Sequence, residues 1–291
     1  MEKMNDYSDM VEVTEISDIQ KLLYELMKAF HKICEENDLY YCVFGGTMLG
    51  AVRHQAIIPW DDDIDVCMPR KDYERFCKIV NEKYSDNYTV RCYPQDGYAY
   101  NFAKFCMKDT LLTEKFLIAK VSELMLYIDV FPVDGYPPDS DEKKHFDKLR
   151  SYKKARCRSV YKITASKIWW KKPYALIRLF KCLPCRMMGY KHFIKKEIDE
   201  DKKYSFDDCD YVSMQGAGWN EKGKLKKDVF LSRKLYNFGD IEVYGISDYD
   251  GHLTRLYGDY MTPPPVERRI SNHSYSLYVD KIIWENLKNE R

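Results

Sequence analysis

The chain opens with an amphipathic pattern. Leu22, Leu23, Leu26, Met27, Phe30, Ile33 and Cys34 recur at three- and four-residue spacing, which predicts a helix from Ser17, as its cap, to about residue 37. Residues 1–14 lack such a period and read as a loose lead-in. Residues 39–44 form a short aromatic and β-branched run that stops at Gly45-Gly46, the pattern of a strand entering a turn. A short helix over 47–53, with Thr47 near its start, and a loop over 57–60 follow. Residues 64–68 read as a buried strand ended by Pro69, and 71–84 as a second amphipathic helix. Further strands are expected over 88–93, 99–107 and 124–133, and the turn Pro137-Pro138-Asp139 closes this block. A long stretch of mostly helical pattern follows. From about residue 211 the chain is mixed again, with a strand over 241–244 and a helix over 249–257 ended by Gly258. A stiff loop at 263–265 precedes a terminal helix from about Ser274. Helices and strands alternate irregularly, so the expected class is α+β: a mixed sheet flanked by helices.

Composition narrows the class. Of 291 residues, 45% are apolar and 32% charged, the balance of a globular protein rather than a disordered one. No apolar run approaches the roughly 20 residues of a membrane span. The polar, acidic first ten residues do not read as a secretory signal, and ten cysteines lie scattered without framework spacing. Reduced thiols and a cytoplasmic location are therefore expected. Charge is unevenly spread. Residues 143–196 hold 18 Lys and Arg against one acid, Asp147, so that segment carries +17 and, with +1 overall, the remainder carries −16. This is a basic arm on an acidic body. An acidic body would repel a polyanion and no readout motif is present, so nucleic acid is not expected as a partner.

The chemistry concentrates in two stretches. In Pro59-Trp60-Asp61-Asp62-Asp63-Ile64-Asp65-Val66, Asp63 and Asp65 stand two residues apart at the start of the expected strand, so their carboxylates project to one side. Two like charges that close are unfavourable unless a cation shares them. Mg²⁺ suits the role, because it takes one or two carboxylates together with phosphate oxygens. Gly45 and Gly46 allow close backbone approach, and a helix starting near Thr47 offers free N–H groups to a phosphate. Arg53 and His54 could add donors from that helix's other end. Asp129, an acid inside the apolar run Leu126-Tyr-Ile-Asp-Val-Phe131, is the best candidate for a third carboxylate. Asp134 better fits the plainer role of a strand-end acid capping a turn. Trp60 reads equally as a core plug or a stacking surface for a base.

The segments Gly45-Gly-Thr-Met-Leu-Gly-Ala-Val-Arg-His54, Ile58-Pro-Trp-Asp-Asp-Asp-Ile-Asp-Val66 and Tyr127-Ile-Asp-Val-Phe-Pro-Val-Asp134 together resemble the LicD family, phosphocholine transferases and relatives of the nucleotidyltransferase-fold superfamily. They are also similar to the fukutin-type ribitol-phosphate transferases, and Leu256-Tyr-Gly-Asp-Tyr-Met-Thr-Pro-Pro264 resembles the family's closing motif. The resemblance runs over about 17–138 and returns over about 211–270. It implies a nucleotidyltransferase-like catalytic core over 15–138, a basic, mostly helical insertion over 139–210, and a C-terminal α+β segment over 211–291 that completes the active-site face. It further implies a Mg²⁺ or Mn²⁺ site on Asp63, Asp65 and Asp129, a phosphate-gripping turn at Gly45, Gly46 and Thr47, and a phosphate-neutralising lysine at Lys104 in Asn101-Phe-Ala-Lys-Phe105.

The implied activity is transfer of a substituted phosphate, with CDP-choline or another CDP-alcohol as donor. The acceptor would be a hydroxyl of a cell-surface glycan, a lipid-linked glycan or a teichoic-acid precursor, and CMP would leave. The same carboxylates would serve a nucleotidyltransferase or a ribitol- or glycerol-phosphate transferase, and a non-catalytic membrane-surface module is a third reading. A choline group would need aromatic faces, for which Tyr93, Tyr98 and Tyr100 are local candidates. The aromatics and cations of 166–196, among them Trp169 and Trp170, suit either peripheral contact with the inner face of a membrane or a lid over the core. The lone Cys182-Leu-Pro-Cys185 lacks the partners of a zinc site, and His273 reads equally as a site or surface residue.

Overall fold

The computed structural model describes residues 9–163, 172–218, 220–271 and 275–289. It is a mixed α+β fold whose centre is a seven-stranded sheet. The strand Tyr127–Gly135 runs through its middle. On one edge it pairs in parallel with Asp65–Pro69, and the two-residue strand Cys42–Val43 lies antiparallel beyond. On the other edge it pairs antiparallel with Ala103–Met107 and then with Tyr211–Ser213. Strands Tyr88–Arg91 and Leu225–Lys226 take the outer positions.

The apolar character of residues 126–133 follows from this central place, since a strand paired on both edges has little access to water. Helices Ile16–Glu36 and Arg70–Lys83 cover one face of the sheet. Phe30, Phe76 and Phe105, one from each helix and one from the sheet, meet there with ring centroids 4.9–5.8 Å apart. Side chains alternate along a strand, so Lys104, next to Phe105, points to the opposite face.

A second, four-stranded antiparallel sheet joins the two ends of the described chain. The strand Tyr275–Asp280 lies between Met10–Val13 and Thr110–Glu114, and Glu123–Leu124 sits at the edge. A hairpin, Arg233–Phe238 with Ile241–Ile246, pairs with neither sheet but packs beside the edge strand Cys42–Val43. One apolar core runs from Val13 to Val279, so the segments before and after the basic arm share it. The arm folds as three helices, Asp139–Val160, Lys172–Met188 and Tyr190–Asp201. The first and third are locked by a buried pair, in which Arg156 Nε donates to Glu197 Oε1 at 2.7 Å and Arg156 Nη1 to the Ala99 carbonyl at 2.8 Å.

Several sequence expectations need correction. Ser17 caps nothing: the first helix begins at Ile16, and Glu15 at its N-cap makes no side-chain cap bond. Within the lead-in, Met10–Val13 is not loose: it is held as a strand by the C-terminal segment. The run over 39–44 supplies a strand of only two residues. The short helix starts at Gly45, whose φ of +54° lets the chain turn directly out of the extended Phe44. Asp134 caps no turn; it is buried in a two-point pair with Arg70, whose Nε donates to Oδ1 at 2.9 Å. Near the end, strand Tyr275–Asp280 precedes the helix Lys281–Asn289, because Leu277 and Val279 alternate inward rather than following a helical period. Ser274, His273, Trp169 and Trp170 lie outside the described residues.

Two outcomes test this packing. His252, on the helix Tyr249–Tyr257, is buried against Phe44 with ring centroids 4.6 Å apart, and neither ring nitrogen has a hydrogen-bond partner among the described residues. Burial, aided by Arg255, pushes its imidazole down to about 4. Between about pH 6.5 and that value only the unfolded chain takes up the proton, so His252 removes stability as pH falls through this window, by up to about 3 kcal/mol. Urea unfolding at a series of pH values will show a shallower loss in His252→Leu than in wild type; equal slopes would refute the assignment. Separately, Glu197→Ala will lose about 3–5 kcal/mol in the same assay, because it strands a buried guanidinium. The double change Arg156→Met with Glu197→Leu will recover most of it.

Candidate active site

The loop of acids is held from two sides. Gln20 Nε2, on the first helix, donates to the carbonyls of Ile58 at 3.0 Å and Asp61 at 2.7 Å. From the other end of the chain, Ser271 Oγ donates to Asp62 Oδ1 at 2.7 Å. Burial alternates along the loop: Asp62, Ile64 and Val66 are buried, while Asp61, Asp63 and Asp65 each keep part of their surface. The period of two aligns the three odd-numbered acids on one side and gives Asp62 a structural place on the other.

The parallel strands bring in Asp129. Their register sets Asp65 directly opposite Asp129, and neighbouring strands lie about 4.8 Å apart. On the far edge the register sets Lys104 opposite the same Asp129, and Lys104 Nζ donates to Asp129 Oδ1 at 2.6 Å. The ammonium is buried and lies 3.2 Å from the centroid of the Tyr127 ring and 4.7 Å from that of Tyr100. Asp65 is pushed well above the usual carboxylate range, first by its burial, then by Asp63, Asp129 and Asp61, with Lys104 opposing. Asp63, Asp65 and Asp129 thus form one electrostatic cluster, joined by Asp61.

The glycine turn meets this cluster. A Cβ on Gly46 would come within 3.1 Å of Asp61 Oδ2, so a bare position lets that carboxylate approach the start of the helix Gly45–Arg53, where partial positive charge accumulates. Thr47 is buried and acts as a strut: the Asp65 N–H donates to Thr47 Oγ1 at 2.8 Å. At the far end of the helix, Arg53 Nη1 donates to the Tyr260 carbonyl at 2.6 Å. His54 packs edge-on against Trp60, with centroids 5.8 Å apart, and the Arg269 guanidinium lies 5.2 Å from the Trp60 ring centroid. Burial, Arg53 and Arg269 push the His54 imidazole down, so it is neutral near pH 7.

Three contributors escaped the sequence reading. Asp61 could have been found from the same period of two that joined Asp63 to Asp65. Tyr257 lies inside the closing motif; burial and then Asp65, Asp61 and Asp63 push its hydroxyl upward, with Arg53 opposing, so it stands in the field of both the acids and the arginine. Arg269, beside Arg53 and His54, comes from the loop after the prolines, and no local pattern marks it. Of the candidate choline cage, Tyr98 is fully buried and spends its hydroxyl on the Phe102 carbonyl at 2.7 Å, while Tyr100 donates to Glu114. A choline cage needs ring faces, and the Tyr98 ring is buried while the Tyr100 ring lies 4.7 Å from the Lys104 ammonium, so neither is free for a choline group.

Among the described residues, no three His, Cys, Asp or Glu side chains are gathered as a closed ligand set. Asp61, Asp63, Asp65 and Asp129 nonetheless offer carboxylates, the donors a hard cation takes, and the part of the upward push on Asp65 that comes, after burial, from its acidic neighbours is repulsion that a cation would relieve.

Comparison with known proteins agrees with these stretches. Residues 38–174 match the family described as LicD/FKTN/FKRP, nucleotidyltransferase domain. A lipopolysaccharide cholinephosphotransferase, LicD, of Haemophilus influenzae is 27% identical over 271 residues, covering 89% of this chain and 96% of that protein. An uncharacterized protein of Rickettsia prowazekii, RP689, is 34% identical over 131 residues, 45% of this chain and 46% of its own length. The matched domain contains the glycine turn, all the clustered acids and Lys104, and the long relative extends the likeness across nearly the whole chain: the chain carries a LicD-family domain over residues 38–174.

Proposed function

We propose that the chain moves phosphocholine from CDP-choline to a hydroxyl of a surface glycan, either lipopolysaccharide or a teichoic-acid precursor, and releases CMP. The observation that carries this reading is the register that sets Asp65 opposite Asp129 with Lys104 on the latter's other side. The name of the Haemophilus influenzae relative supports the choline and glycan parts of it. The sheet that holds these residues serves, in this reading, as a nucleotidyltransferase-like core.

The acceptor oxygen bonds to the phosphorus that bears choline, and the bond from that phosphorus to the bridging oxygen breaks, leaving CMP. Asp129, held by Lys104, takes the hydroxyl proton. Arg53 and Arg269 lie together beside neutral His54 and bind the diphosphate, relieving their own repulsion. Asp63, Asp65 and Asp129 would hold Mg²⁺ or Mn²⁺, which supplies positive charge to the diphosphate. Thr47 and Gln20 hold the acids in place rather than touch the substrate.

Two measurements test the reading. With CDP-choline and a glycan acceptor, Asp65→Asn and Asp129→Asn will each release CMP about 10³-fold more slowly; Asp65→Asn will keep a melting temperature at or above wild type, whereas Asp129→Asn will melt lower because it strands the buried Lys104 ammonium. Unchanged turnover in both would end the proposal, and release of phosphocholine in place of CMP would make the chain a nucleotidyltransferase. Thermal shift against CDP-choline, CDP-ribitol and CDP-glycerol will show selective stabilisation by the choline compound; equal or greater stabilisation by another would reassign the donor. Lys104→Met will lose about 3 kcal/mol of stability in urea, since it leaves Asp129 without its buried ammonium, and Lys104→Met with Asp129→Asn will recover most of it.

A further inference from the structure

The middle helix of the basic arm, Lys172–Met188, is amphipathic in the reverse of the usual sense. Cys182 is its buried side chain in the stretch from residue 177. Ile177, Phe180, Leu183 and Met187 recur at spacings of three, three and four, so they lie along one stripe, and all four are exposed. Phe180 is 67% and Met187 79% exposed, and Met188 beside them is 54% exposed. An ordinary surface helix turns such a stripe inward. Here the neighbouring helices make their core contacts without it: Val160, Tyr190 and Ile194 pack with Ala99, Leu117 and Val121.

The helix also borders a cavity of about 250 Å³, open toward solvent, between it and the end of Asp139–Val160. Lys154, Arg158, Arg178 and Lys181 line it, and no acid does. None of these four cations is ion-paired among the described residues, although most other cations of the arm's first and third helices have an acid within reach, as Lys148 has Glu200 and Lys195 has Asp199. Four unpaired cations facing one hollow are mutually repulsive, and the arrangement is stabilised by an anion. An apolar stripe for hydrocarbon and a cationic hollow beside it for phosphate match the two layers of a membrane surface. No described helix is long and apolar enough to cross a membrane, so the fit is to lying on the surface rather than spanning it.

We propose that Lys172–Met188 docks on an anionic lipid bilayer, with Ile177, Phe180, Leu183 and Met187 in the acyl boundary and Lys154, Arg158, Arg178 and Lys181 on the headgroup phosphates. The inference stands on the arm alone and does not depend on the transfer reaction. Binding scales with buried apolar area and with attraction to anionic lipid, so both halves are open to mutation.

The full chain will be sedimented with phosphatidylcholine vesicles and with vesicles containing about one-third phosphatidylglycerol, at low and high salt. Wild type will pellet with the anionic vesicles at low salt, less at high salt, and not with the neutral ones. Phe180→Asp with Met187→Asp, and separately Arg178→Glu with Lys181→Glu, will each lower the partition coefficient about tenfold or more. These positions are exposed, so the variants keep the wild-type far-ultraviolet dichroism and melting temperature. Failure of wild type to pellet, or pelleting of either variant as strongly as wild type, overturns the proposal. So does a vesicle-free dimer in analytical ultracentrifugation that Phe180→Asp with Met187→Asp dissolves, because the stripe would then face a second copy of the chain.

Discussion

Everything at the acid cluster depends on one pair of parallel strands. Asp65–Pro69 and Tyr127–Gly135 are the neighbouring strands of the main sheet that pair in parallel, and their register puts one acid beside another. The rest of that strand pair is apolar: Val66, Cys67 and Met68 lie against Val130, Phe131 and Pro132. A slip of one residue would turn these side chains to the wrong face, so the burial of the apolar residues fixes the placement of the charged ones. The repulsion between Asp65 and Asp129 is thus held in place by the hydrophobic core, not by any attraction between the acids.

Positive charge reaches the cluster in two different forms. Lys104 is part of the sheet itself, buried and bonded to Asp129, with aromatic faces on either side of its ammonium. Arg53 and Arg269 stand at the far end of the short helix, near His54 and Trp60, and burial followed by Arg269 pushes the proton affinity of Arg53 down. One cation is built into the fold; the other two converge where, among the described residues, no carboxylate pairs with them. That division separates a group that maintains the acids from groups suited to a polyphosphate.

Much of this was legible in the sequence, and the failures have physical causes. The first helix, the second helix and the helix ended by Gly258 were readable because each repeats its apolar positions over several turns. Asp63, Asp65 and Asp129 stood out as acids where apolar residues belong. Long-range partners left no local trace. Asp134 looked like a turn residue because Arg70 is 64 positions away in sequence. Tyr275–Asp280 looked helical because its strand partners lie at Met10–Val13 and Thr110–Glu114. Arg269 reaches the site through the fold of a proline-rich loop, which no period announces. The basic arm was visible as charge, but its inverted helix was not, since periodicity shows that a helix has two faces and not which one turns outward.

The strand Tyr275–Asp280 gives the molecule a particular order of completion. It lies between Met10–Val13 and Thr110–Glu114, and those two do not pair with each other. Ser271, just ahead of it, bonds Asp62 within the acid loop. During synthesis the clustered acids leave the ribosome long before the segment that anchors their loop and completes the second sheet. A nascent chain can therefore carry every acidic side chain of the cluster while its loop still lacks one of its two anchors, Ser271, which lies 209 positions beyond Asp62.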